Sequence, residues 1–117
     1  MNDINPLPVR FITEDFAVAP QLDAAAMAQV AQAGFKSVIN NRPDFEAGPD
    51  QPTSAQVEAA ALAAGLVYRY QPVGPAYHSP EEIKAFAELL LALPTPVLAY
   101  CRSGTRSARL FAANQAN

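Results

Sequence analysis

The chain has one cysteine, one histidine and few charges, and each scarcity closes a class of function. Cys101 alone cannot form an internal disulfide, which favours a reducing, cytoplasmic compartment. His78 alone cannot support a His/Cys metal site of the usual kind, so neither a metal nor another cofactor is expected. No apolar run approaches the roughly 20 residues of a membrane span. The opening, MNDINPLPVRF, lacks a basic segment leading into an apolar one, so no secretion signal is expected. A net charge of −3 leaves no broad basic stripe for nucleic acid. Nucleic acid and membrane are therefore not expected as partners.

What is present is a globular composition. Half of the 117 residues are apolar and 16% are charged, which suits one α/β domain over residues 1–117 with a single core. Proline and turn residues divide it. VRFITEDFAVA reads as two short strands with a turn at Glu14-Asp15. A helix is expected over 23–33, with Leu22, Ala26, Val30 and Ala33 on one face and Gly34 as its stop. KSVIN follows as a buried strand. Residues 41–52, NRPDFEAGPDQP, hold three prolines and no period, and a loop of that length in a compact domain is often functional.

Thr53 and Gln56 form a capping box for a helix ending at Ala64. LVYRY is the next strand. Ser79, Pro80 and Glu82 open a helix that points Ile83, Phe86, Leu89, Leu90 and Leu93 inward and stops before Pro94. PVLAY is the last strand, and from Ser107 a helix with Ala108, Phe111, Ala112 and Gln115 on one face is expected. Alternating strands and helices predict a three-layer domain with a mainly parallel sheet covered on both faces. Ligands of such sheets bind beyond the carboxyl ends of the strands. Cys101 lies at one of those ends.

A lone cysteine is more often an inert buried residue than a nucleophile, so its neighbours decide. In VLAYCRSGTRSARLF an apolar strand ends at Cys101, Gly104 permits a tight turn, and Arg102 and Arg106 flank it. Only a thiolate is a competent nucleophile, and a helix N-terminus with two guanidinium groups favours that form. The same amides, from Arg102, Ser103, Gly104, Thr105, Arg106 and Ser107, would cradle an oxyanion. An ordinary buried thiol beside an N-cap would not require two arginines and a glycine within five positions. Cys101 as nucleophile and Arg106 as anion anchor are the resulting expectations.

The blocks DFAVAPQ, GFKSVINNRPDFE, GLVYRYQPV and PVLAYCRSGTRSARLF together resemble the phosphatase-like domain of the beta-lactamase-hydrolase-like proteins. That resemblance covers nearly the whole chain and implies a dual-specificity phosphatase-like fold. Some members are fused to a persulfide dioxygenase, which the resemblance makes a candidate partner. It leaves the reaction open between phosphate hydrolysis and sulfur transfer.

Two departures bear on the reaction. Tyrosine-phosphatase loops resemble His-Cys, five residues, Arg; here four residues separate Cys101 from Arg106, and Tyr100 stands where those loops have histidine. Rhodanese-type sulfurtransferases resemble the shorter loop. In addition, Gly74, Pro75 and Ala76 occupy the region where dual-specificity phosphatases carry an acidic proton donor. Asp44 is the substitute acid considered first, with Glu46 and His78 behind it, and Arg42 is a further loop contact. Each has an ordinary alternative: a turn aspartate, a solvated glutamate, a surface histidine and a surface arginine.

The first expectation is therefore a sulfurtransferase with a Cys101 persulfide, an anionic sulfur donor such as thiosulfate or a small persulfide, and an external thiol acceptor. The second is a phosphatase acting on phosphate esters through a phosphocysteine. A non-enzymatic redox or anion sensor is the third.

Overall fold

In a computed structural model of the chain, residues 7–115 are described. Strands β1 (Arg10–Thr13) and β2 (Phe16–Ala19) form an antiparallel hairpin. A 3₁₀ turn at Ala24–Ala26 then leads into α1 (Met27–Gln32). Strand β3 (Ser37–Asn40), α2 (Ser54–Ala63), β4 (Val67–Tyr70), α3 (Pro80–Ala92), β5 (Val97–Tyr100) and α4 (Thr105–Gln115) complete the chain. The sheet order is β1-β2-β5-β3-β4, and every pair except the hairpin is parallel.

The apolar runs in β2, β3 and β5 follow from burial on both faces, as a covered parallel sheet requires. Side chains alternate between two cores. Ala17, Ala19, Val38, Leu98 and Tyr100 meet Met27 and Val30 of α1 and Val57 and Ala61 of α2. Phe16, Val18, Ile39, Val97 and Ala99 face the opposite way, toward Phe86 of α3 and Leu110 of α4. The three-layer, mainly parallel expectation therefore holds.

Several local expectations need adjustment. The first helix begins as a 3₁₀ turn because the Asp23 side chain caps Ala26 N–H, and Met27, not the exposed Ala33, joins Val30 in the core. In α3 only Phe86 is fully buried within the helix, while Ile83, Leu89 and Leu90 are half-buried at its flanks. Helix α4 starts at Thr105, two residues earlier than expected, which places Arg106 inside its first turn. Its buried face is Arg106, Ser107 and Leu110; Ala112 and Gln115 are exposed. The expected capping boxes at Thr53–Gln56 and Ser79–Glu82 both form.

Register decides where the site lies. Ala19 and Asn40 both pair with Tyr100, and Asn40 pairs with Tyr70. The four parallel strands thus end at one level, and the segments after them emerge side by side at the carboxyl edge. Among the described residues no helix is long and apolar enough to cross a membrane.

Candidate active site

Cys101 leaves the central strand β5 almost fully buried, with its N–H donating to Ala19 O at 3.3 Å. Its Sγ accepts a hydrogen bond from Gly104 N–H at 3.1 Å. Gly104 has φ +90°, and a Cβ there would lie 3.4 Å from the Ala19 backbone. Glycine is needed because the left-handed backbone folds the chain back beneath the sulfur. Helix α4 starts at the next residue, its Thr105 N–H donating to Ser103 Oγ at 3.4 Å, so the helix's partial positive charge lies at this loop.

Arg106 follows one position later, 6% exposed. Its two terminal nitrogens grip both oxygens of Glu46 at 3.1 Å, and Nη1 also donates to Val73 O at 3.1 Å. Among the described residues Nε is buried without a hydrogen-bond partner. Arg42 approaches the same carboxylate from the other side, Nε to Oε1 at 2.9 Å, and reaches Gln21 Oε1 at 3.1 Å. One carboxylate therefore joins two guanidinium groups.

The loop after β3 brings Glu46 into place. Asn40 Oδ1 accepts from Arg42 N–H at 2.9 Å, while Asn40 Nδ2 donates to the Tyr68 hydroxyl at 3.0 Å. That hydroxyl also bonds Ser54 Oγ, and Tyr100 OH lies 3.4 Å away. Asn41 accepts from Ser107 Oγ at 2.8 Å, fastening the loop to α4. At Phe45 the backbone turns left-handed, with φ +63°, a strained conformation for a bulky side chain. Gln51 ties the far side by accepting from Ala47 N–H and donating to Pro43 O.

Burial raises the Glu46 pKa, but hydrogen bonds and charge from Arg106 and Arg42 outweigh it, and the net shift is downward. The carboxylate stays ionised at neutral pH. Tyr100 moves strongly the other way, chiefly through desolvation, and keeps its proton.

A cleft of about 590 Å³ opens over this arrangement. Cys101, Ser103, Thr105, Ala47 and Pro75 line it, together with Arg42, Arg102, Arg106 and Arg109. Four of the chain's eight cationic residues thus meet at one cleft of an acidic protein. Among the described residues Glu46 is its sole carboxylate.

The expected residues divide accordingly. Cys101, Arg102, Ser103, Thr105, Arg106 and Arg42 come together around the cleft, and Gly104 contributes its amide to the sulfur. Ser107 turns instead to Asn41. Asp44 does not reach the cleft: its carboxylate accepts from Ser54 N–H at 2.8 Å and its own N–H donates to the Tyr70 hydroxyl. His78 lies away from it, Nε2 beside Gly74 O at 3.2 Å. The sequence reading missed Arg109, which stands one helical turn beyond Arg106; its i, i+3 spacing on a helix beginning at Thr105 was the available signal. It also weighed Glu46 mainly as a solvated charge, although Arg42 and Glu46 stand four residues apart.

A parallel sheet with a cysteine loop at its carboxyl edge, running into a helix with arginine in its first turn, defines a phosphatase-like α/β domain. The chain belongs to the family of the beta-lactamase hydrolase-like protein, phosphatase-like domain, whose pattern it matches over residues 8–117. It is 37% identical over 105 residues to the beta-lactamase hydrolase-like protein of Agrobacterium fabrum, covering 90% of this chain and 24% of that protein. A Xylella fastidiosa protein of the same name is 36% identical over 104 residues, covering 89% of this chain and again 24% of the relative. The chain thus spans about a quarter of the length of these curated relatives.

Among solved structures, a candidate phosphatase of Neisseria meningitidis superposes with TM-score 0.83 and 34% identity, covering 95% of this chain and 78% of that one. TpbA of P. aeruginosa, solved with pTyr, shares the fold with TM-score 0.67 at 15% identity, covering 93% of this chain and 63% of its own.

Proposed function

We propose that the domain is a cysteine-dependent phosphatase for aryl phosphate monoesters, with Cys101 as nucleophile and Arg106 as anion anchor. The observation that carries this reading is Arg106 itself: a buried guanidinium fixed by Glu46 and Val73, with Nε unpartnered, lining the same cleft as Cys101. A donor of that kind is matched by a phosphoryl oxygen. Cys101 Sγ attacks phosphorus as the ester P–O bond breaks and the electron pair leaves with the aryl oxygen. Water then attacks phosphorus, the S–P bond breaks, and phosphate departs as the thiolate returns. The Gly104 amide and the first turn of α4 stabilise the charge that develops.

The same cleft limits the substrates. Its one carboxylate, Glu46, is ionised and bound to two arginines, so it holds no proton for a leaving oxygen. Leaving groups that depart as stable anions, such as phenolates, are therefore favoured over alkoxides. A cleft of about 590 Å³ exceeds a lone phosphoryl or thiosulfate group and has room for an aryl ester. This size, with the phosphatase-like family and fold neighbours, supports phosphate hydrolysis over the sulfur transfer first expected.

Sulfur transfer remains the second reading, favoured by the four-residue spacing from Cys101 to Arg106 and by the missing acid. One preparation tests both. Rapid quench with phenyl phosphate should give Cys101 the mass of a phosphoryl group and release phenol. Incubation with thiosulfate should leave its mass unchanged. A cyanide-labile gain of one sulfur atom, with no phenol released, would reverse the ranking.

A further inference from the structure

We infer that the cleft holds a second anionic subsite formed by Arg102 and Arg109, and that the substrate is a small phosphate ester carrying another anionic group. This rests on the phosphatase reading and extends it from reaction to substrate class. Arg42 and Arg106 share Glu46, so the inner pair is largely compensated. Arg102 and Arg109 are different: both are exposed, both line the cleft, and among the described residues neither side chain has a hydrogen-bond or ion-pair partner. Four arginines against Glu46 and the Cys101 thiolate of the proposed mechanism leave a formal charge of +2 around the cleft, while the chain as a whole carries −3.

That surplus resides on Arg102 and Arg109, which are exposed at the cleft while Arg106 is buried. Placement follows from the fold. Arg102 leaves the loop one residue after Cys101, and Arg109 stands one turn of α4 beyond Arg106. The two approach the mouth of the cleft from the loop and from the helix. An anionic group set back from the reacting phosphorus, a carboxylate or a second phosphate, fits between them. The volume suits a small molecule, and a free ester is assigned on that ground.

Two near-isosteric esters test this: 4-(carboxymethyl)phenyl phosphate and its neutral amide, 4-(carbamoylmethyl)phenyl phosphate. Their leaving groups are similar, so the comparison isolates the distant charge. Binding is measured on Cys101→Ser by calorimetry, and KM on the native chain. The carboxylate should tighten binding about three- to tenfold at low salt, since each exposed ion pair contributes little and is screened. Arg109→Gln should bring that ratio toward one, Arg109→Lys should keep most of it, and added salt should erode it in the native chain. Equal affinity for the two esters, with turnover intact, would overturn the subsite alone. Charge preference in binding without turnover of either ester would count against the phosphatase and leave the subsite standing. Tighter binding of an acidic phosphotyrosine peptide than of the carboxymethyl ester would overturn the small-molecule assignment.

Discussion

Arg106 presents a planar fork whose two terminal nitrogens hold Glu46 while Nε has no protein partner. A lysine retains the charge but offers one compact ammonium, which cannot hold a carboxylate on two oxygens and donate to a substrate in the same geometry. Arg106→Lys should therefore lower kcat/KM for phenyl phosphate by about 10- to 100-fold, the loss of one or two charge-assisted hydrogen bonds. Arg102→Lys should cost far less, because an exposed rim position keeps its charge through the exchange. Steady-state kinetics on both variants, with circular dichroism to verify folding, make the comparison. Equal losses would mean that Arg106 is not the anchor.

At the scale of elements, the loop between β5 and α4 depends on one left-handed residue. Gly104→Ala forces a Cβ into φ +90° beside the Ala19 backbone. The conformation costs an alanine about 1–2 kcal/mol, and the Gly104 N–H that meets Cys101 Sγ moves if the loop relaxes. Stability and turnover should fall together. Thr53→Ala provides the contrast. It removes the N-cap of α2, which should cost about 1 kcal/mol in the denaturation midpoint while kcat/KM stays at the native value. A Gly104→Ala protein of native stability and activity would show that the turn does not govern the sulfur.

Across the whole molecule, Glu46 connects the loop after β3 to α4 on the far side of the sequence, and that link is sensitive to pH. Its folded pKa lies below the ordinary 4.5. The stability it contributes is complete above that value and is lost as pH falls through the depressed folded value. Glu46→Gln should be less stable than the native chain at neutral pH, and the gap should narrow in acid. Thermal unfolding from pH 7 down to pH 3 measures it. A gap that stays constant over that range would remove the carboxylate from the account.

The sequence by itself determined the elements and the order in which they pair with chemistry. Prolines, glycines and capping boxes are local signals, and the apolar runs FAVA, SVIN and VLAY report burial on both sheet faces without reference to distant residues. For the same reason Cys101 at a strand end, Gly104 and Arg106 were legible: all lie within six consecutive positions. What only the tertiary structure decided was which distant side chains meet them. Asp44 and Glu46 stand two residues apart, yet Asp44 turns to the start of α2 and Glu46 to Arg106, because the left-handed turn at Phe45 separates their directions. Arg109 stands one turn after Arg106 on α4, and it is the packing of that helix end beside the loop after β3 that brings both into the cleft. Such choices depend on register and on contacts across some 60 residues of chain, and no local pattern encodes them.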